Sequence, residues 1–233
     1  MRAEPVVLSW SGGKDSALAL AALRADPRFD VVALLTTVTA GYDRISIHGV
    51  RRSLLERQIE ALRLPLHEIE LQPSSSNEQY EAALERALQG IRQRHPEVRR
   101  VAFGDLFLED VRQYREDRLP RLGFQCLFPI WGRPTDQLAE EFIDAARESA
   151  ADAILVSSLY GMARIDCSDF GAKCEEAGIG HVKRYLGGIL VTDPEAWEET
   201  ERLFKAQGFH RVYPPQTKTE VAIADLKSDL DLE

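Results

Sequence analysis

Along the first 130 positions, short apolar runs alternate with longer stretches in which apolar residues recur at helical spacing. Val6-Val7-Leu8, Val31–Leu35, Leu66–Leu71, Val101-Ala102-Phe103 and Phe124–Ile130 predict five strands, the last carrying Pro129 near its end. Between them, Ala17–Leu23 is built of strong helix formers. Residues 50–63 put Val50, Leu54, Leu55, Ile59 and Leu62 on one side of a second helix. Tyr80, Leu84, Leu88 and Ile91 mark a third, entered through the loop Pro73–Asn77 with its natural N-cap. A charged helix is predicted over about 109–121. Strands alternating with helices indicate a parallel, helix-covered sheet.

A helix over Pro134–Ala150 leads into three further strand–helix units. Ala153–Val156, Leu186–Val191 and Val212-Tyr213 read as strands. Trp197, Thr200, Leu203 and Phe204 form an apolar stripe on a helix closed by Gly208, and Val221, Ile223, Leu226 and Leu230 supply a last helix. The class is therefore α/β: a three-layer α/β/α, doubly wound, mostly parallel sheet. No linker rich in Gly, Ser or Pro separates residues 1–148 from 149–233, which predicts one continuous globular domain on a single sheet.

Chemistry concentrates in Ser9-Trp10-Ser11-Gly12-Gly13-Lys14-Asp15-Ser16, between the first strand and the first helix. Strand, glycine turn and helix N-terminus in that order make an anion site, because the first amides of a helix have no internal partner and its dipole favours negative charge. Gly12 and Gly13 can adopt angles closed to other residues, Lys14 adds a full charge, and Ser9, Ser11 and Ser16 add hydroxyls. Asp15 facing a phosphate implies either a metal ion, Mg²⁺, or a helix cap. The loop is not a Walker A sequence, since Gly-x-x-x-x-Gly-Lys-Ser/Thr is absent.

Composition narrows the rest. The net charge of −9 over 233 residues argues against broad nucleic-acid binding. Cys126, Cys167 and Cys174 form neither a disulfide framework nor a Cys-x-x-Cys zinc pair and suit a reducing cytoplasm. No apolar run approaches the roughly 18 residues of a membrane span, and the N-terminus lacks a signal-peptide pattern.

The loop resembles the Ser-Gly-Gly-x-Asp-Ser signature of the PP-loop ATP pyrophosphatases, which cleave ATP between the α- and β-phosphates and adenylate a substrate. Leu34–Val38, Ile47–Arg51, Gly104-Asp105-Leu106 with Glu109, Arg112 and Glu116, and Phe128–Gly132 extend the likeness over roughly residues 5–145, towards the diphthine–ammonia ligase branch. That resemblance implies ATP or AMP with Mg²⁺ as ligand and Lys14 and Asp15 as the catalytic pair. It places Thr36 and Thr37 near the adenosine, Gly104 and Asp105 on the pocket floor, and His48, Glu109, Arg112 and Glu116 towards the substrate. The run Glu109–Arg118 equally suits a solvated helical face of i,i+4 pairs, and His48 an ordinary loop.

The Gly-Glu-Asn-Gly-Glu-type segment that continues that family is absent. From about residue 150 the chain is instead similar to the second half of the cobalamin-binding small subunit of glutamate mutase, a flavodoxin-like fold. The likeness rests on Ala153–Gly161, Ile165-Asp166-Cys167, Lys173–Gly178, Gly187-Gly188, Phe204–Phe209 and Arg211–Pro215. In that family the turns matching Ser157, Leu159, Gly161, Gly187 and Gly188 cradle the nucleotide tail of cobalamin. None of the five histidines here has Asp two residues before it, so Asp-x-His-x-x-Gly is missing and no His-ligated cobalamin is expected. The chain thus reads as a splice, with its seam in the helix 134–150, and as a made chimera, because a natural fusion would append a whole cobalamin domain. The expected function is a retained nucleotide or phosphate (sulfate) loop without a complete partner site. The alternatives are an active adenylating enzyme, an amidoligase or tRNA-modifying type, and a ligand-free scaffold. Sequence leaves strand order across the seam and an oligomeric state open.

Overall fold

The computed structural model describes residues 2–41, 51–158, 163–191 and 193–232. The chain divides into two compact units, Met1–Arg133 and Pro134–Glu233.

The front unit is a five-stranded sheet of β1 (Glu4–Ser9), β2 (Phe29–Thr39), β3 (Leu66–Leu71), β4 (Arg100–Ala102) and β5 (Gln125–Leu127), in the order β3-β2-β1-β4-β5. All four strand pairings are parallel. Four helices connect the strands: α1 (Lys14–Ala25), α2 (Arg52–Leu62), α3 (Asn77–Arg94) and α4 (Glu109–Arg118). Successive residues of a strand point to opposite faces, and the core follows that rule. Val6 and Leu8 pack with Leu20, Leu23 and Leu55 of α1 and α2 on one face. Val7 packs with Leu88 and Ile91 of α3 and with Leu119 and Phe124 on the other. Helices therefore cover both faces, as the three-layer pattern requires.

Local chemistry sets the element ends. Ser76 caps α3 in a reciprocal capping box with Gln79, the cap expected from the loop 73–77. The charged helix predicted to about 121 stops as α-helix at Arg118 and tightens into a 3₁₀ turn, Leu119–Leu122, because Pro120 cannot continue the α-helical ladder. The fifth strand is three residues rather than seven. Pro129 lacks an amide, and the chain turns there, with the Trp131 amide donating to the Phe128 carbonyl at 3.2 Å.

The rear unit opens with α5 (Thr135–Glu148) and holds β6 (Ala153–Ser158), α6 (Ala163–Asp166), α7 (Phe170–Glu176), β7 (Lys183–Gly188), α8 (Trp197–Ala206), β8 (Arg211–Val212) and α9 (Thr219–Asp229). Its strands form a separate parallel sheet, β6-β7-β8. The single sheet expected across the seam is thus two, and the division falls at Arg133/Pro134, at the start of the seam helix rather than within it. The reason lies in what each half can bury. Ile143 and Ala146 of α5 pack with Ile154, Phe170, Cys174, Leu186 and Phe204 as part of the rear core. β7 runs from Lys183 to Gly188, three residues earlier than the apolar run Leu186–Val191 predicts, and Gly188, at φ +102°, ends it.

The opposite face of the rear sheet is held differently. Tyr185 and Tyr213 stack with ring centroids 6.4 Å apart. Tyr185 donates to Asp229, Tyr213 to Asp225, and Arg211 forks onto Asp229 at 2.8 and 2.7 Å, so α9 is attached largely by a polar clasp. No residue of α9 is buried, and Leu155 of β6, in register with Tyr185, is 63 % exposed.

Candidate functional site

β1 stops at Ser9 and α1 starts at Lys14, leaving a four-residue turn at the carboxyl ends of the front strands. Gly12 takes φ +75°, a conformation that a side chain would strain. Gly13 is the N-cap of α1 in an extended conformation with no side-chain cap, so neither Asp15 nor Ser16 has that task. The serine hydroxyls tie the turn together from within. Ser11 Oγ accepts from the Gly13 amide at 3.3 Å and donates to Ser16 Oγ at 3.2 Å, while the buried Ser16 donates to the Gly13 carbonyl at 2.9 Å. Among the described residues the amides of Gly12, Lys14 and Asp15 have no hydrogen-bond partner. Lys14 Nζ lies 2.6 Å from Asp15 Oδ1, and the lysine side chain is 68 % exposed. Free amides, a helix N-terminus and an exposed ammonium paired with the Asp15 carboxylate thus share one place.

Gly104, at the end of the β4 segment, braces this turn. A Cβ there would stand 2.8 Å from the backbone carbon and oxygen of Asp15, so only glycine lets the two segments approach. Asp105, expected on the pocket floor, has its carboxylate taken by Arg115 at 2.8 and 3.3 Å, and that guanidinium lies 4.0 Å over the Phe103 ring. Of the residues expected to face substrate, Arg112 pairs with Glu116 at 2.8 Å, four positions on, and rests between Phe128 and Trp131, 5.1 and 4.7 Å from their centroids. Glu109 is exposed in the first turn of α4. His48 lies outside the described residues, as do Leu159 and Gly161.

Thr36 and Thr37 fall on opposite faces of β2, as alternation demands. Thr37 lines a cleft with Ser9, Leu35, Phe103, Tyr80, Tyr114, Arg115 and Arg118 at the rim beside the turn. Thr36 is buried on the α1/α2 side, and its hydroxyl has no partner among the described residues. Both lie beyond Leu35, the last β2 residue that β1 pairs with, and among the described residues no strand pairs with the β1-facing edge there.

Sequence reasoning missed the cleft. Tyr114 and Arg118 both bond to Glu81 of α3 at 3.2 Å, and burial raises the Tyr80 phenol above its ordinary pKa. Only the shared face of Tyr114, Arg115 and Arg118 on α4 hinted at it. Gln58 of α2, which reaches the turn from below, left no sequence signal at all. Burial lifts Cys126 and Cys167 to about 11, so neither is a thiolate near neutrality.

In the rear unit, Ser157 pairs in register with Gly187, and Ser158 with Gly188, at the strands' carboxyl ends. His210 Nδ1 accepts from the Arg184 amide at 3.1 Å. Among the described residues no group of three or more His, Cys, Asp or Glu could hold a metal, and no helix is long and apolar enough to cross a membrane.

Comparison with known proteins divides the chain in the same way. Residues 4–125, just over half of it, match the family described as diphthamide synthase N-terminal domain. A different stretch of 94 residues is 51% identical to the glutamate mutase sigma subunit of Clostridium tetani, covering 40% of this chain and 69% of that protein. The sigma subunit of Carboxydothermus hydrogenoformans is 53% identical over 93 residues, 40% of this chain and 68% of the relative. Sigma subunit 2 of Haloarcula marismortui is 52% identical over 90 residues, 39% and 60% of the two chains. The phosphoribosyl anthranilate isomerase of Thermus thermophilus aligns over 99% of this chain and 98% of its own at 15% identity and a TM-score of 0.21, below any shared fold.

Proposed function

Since this chain belongs to the diphthamide synthase N-terminal domain family in front and to the glutamate mutase sigma subunit family behind, we propose that its front unit binds ATP or AMP, and that neither half carries a complete substrate or cobalamin site. The observation that carries this reading is the cluster of unpartnered amides at Gly12, Lys14 and Asp15, at the N-terminus of α1 and beside the exposed Lys14 ammonium. Backbone amides and a lysine are together a polyphosphate seat. Gly104 and the inward-turned Ser11 and Ser16 keep that seat in shape. Thr37 and the β1-facing edge of β2 beyond Leu35 are placed to take the nucleoside, and Ser9 borders both.

Mg²⁺ fits Asp15 as a single carboxylate ligand, since magnesium is held mostly by phosphate oxygens and water with one or two carboxylates. When bound it would neutralise phosphate charge, while Lys14 stabilises the charge that develops on a departing pyrophosphate. The rear unit keeps the Ser157 and Gly187-Gly188 turns but no Asp-x-His-x-x-Gly, and His210 already accepts a backbone amide. The joined halves, neither complete at its partner site, support a chimera.

Calorimetry with ATP and Mg²⁺ tests the reading: wild type binds, and Lys14→Ala abolishes detectable binding. Unchanged affinity in that variant would remove the loop from the site. The family match of residues 4–125 favours a second reading, an active ATP pyrophosphatase that adenylates an acceptor. Pyrophosphate release that rises on addition of an acceptor would establish it. Titration with cobalamin is expected to give no His-ligated spectrum at micromolar protein.

A further inference from the structure

Gln58 stands 46 positions from Gly12 in sequence, yet both ends of its carboxamide meet the turn. Its Oε1 accepts from the Trp10 indole Nε1–H at 3.2 Å, and its Nε2 donates to the Gly12 carbonyl at 3.1 Å. Trp10 is itself buried in the core between α1 and α2, so the amide is anchored on one side by packing and on the other by backbone. A trans peptide points its carbonyl and the next N–H in opposite directions. With the Gly12 carbonyl held towards α2, the Gly13 N–H is turned to Ser11 Oγ, 3.3 Å away. Flanked by two glycines, this peptide plane meets little steric resistance to flipping. Flipped, it would set the Gly12 carbonyl oxygen towards the Ser11 hydroxyl and break the Gly13 N–H bond to Ser11 Oγ that ties the turn together.

We propose that Gln58 is a positioning residue for the phosphate turn: it fixes the Gly12–Gly13 peptide with its carbonyl directed at α2, and so keeps the neighbouring amides aimed at an anion. This inference rests on the polyphosphate reading above. It is separable from it, because that reading needs only the amides and Lys14.

The experiment compares wild type with Gln58→Met, which keeps the volume and removes both hydrogen bonds, and with Gln58→Glu, which keeps an acceptor for Trp10 but sets a carboxylate against the Gly12 carbonyl. Affinities for Mg²⁺–ATP and for free pyrophosphate are measured by calorimetry, and the Trp10 indole N–H is followed by ¹H–¹⁵N NMR. Two net hydrogen bonds translate to about a tenfold weakening of both ligands in Gln58→Met, with Gln58→Glu weaker still. The Trp10 resonance should move in the Met variant and stay near its wild-type position in the Glu variant. That split between resonance and affinity is something a merely structural role would not give. Wild-type binding with both variants within twofold of it overturns the role of Gln58 alone. Absence of any binding by wild type overturns the nucleotide reading and this inference with it.

Discussion

The two units solve the same burial problem to different extents. The front sheet has five strands and two cores, one on each face, with α1 and α2 over one side and α3 with the 3₁₀ turn Leu119–Leu122 over the other. Among the described residues the rear sheet has three strands and a single core. Its second face is served by a stacked tyrosine pair and an arginine–aspartate clasp to a helix without a buried residue. A doubly wound sheet is stabilised by apolar packing on both faces, so the rear unit is the less insured of the two. The anion turn sits on the unit with two cores, where β1, at the centre of the sheet, can hold it rigidly.

The comparison breaks most visibly at the cores. Phe204 is fully buried in the one rear core, and Phe204→Ala is expected to cost about 3–5 kcal/mol and melt the rear unit first. Tryptophan and circular-dichroism melts would show a new early transition, while ATP affinity at the front remains. A single unsplit transition would show that the units do not hold separate cores. Next in size is Gly104→Ala. The added methyl meets the Asp15 backbone, which cannot give way as a flexible side chain would, so overpacking of about 1–3 kcal/mol and weaker ATP binding should appear together. Loss of stability with intact affinity would detach Gly104 from the turn.

Acid sharpens the contrast further. The Arg211 guanidinium beside Asp229, with the Tyr185 hydroxyl, holds that carboxyl down at about 2 from the ordinary 3.8. A carboxylate depressed in the folded state contributes stability that is present above 3.8 and is lost as pH falls towards about 2. A rear-unit transition in that window should therefore be blunted in Asp229→Asn, which also lowers the melting temperature by a few degrees at pH 7. Equal acid sensitivity in variant and wild type would remove the clasp from the account. The smallest effect is expected at Ile223, half exposed on α9, where Ile223→Ser should change stability by no more than about 0.5 kcal/mol. A large loss there would mean that the α9 face is packed after all.

Much of this was legible where the physics is local. The strand–turn–helix around Gly12 and Gly13 and the Ser76 cap each follow from a few adjacent residues, whereas the stop before Pro120, equally local, was overrun by a helix drawn to about 121. The rear turns at Ser157 and Gly187 do come side by side. What stayed hidden depends on residues far apart in the chain. Arg115 reaching back to Asp105, Tyr114 and Arg118 meeting Glu81, and Gln58 reaching Gly12 cannot be read from spacing. The break into two sheets was missed for a related reason: composition without a flexible linker says that a chain is ordered, not that its strands pair across a seam.

β6 carries one further consequence. It joins β7 along one side, and among the described residues no strand pairs along the other. In a parallel ladder alternate amides point left and right, so its outward N–H groups have no backbone acceptor, whereas β7 is flanked on both sides. In deuterated water the isotope should therefore enter β6 at every second amide first and reach the centre of β7 last, giving a zebra-striped exchange pattern across a sheet only three strands wide.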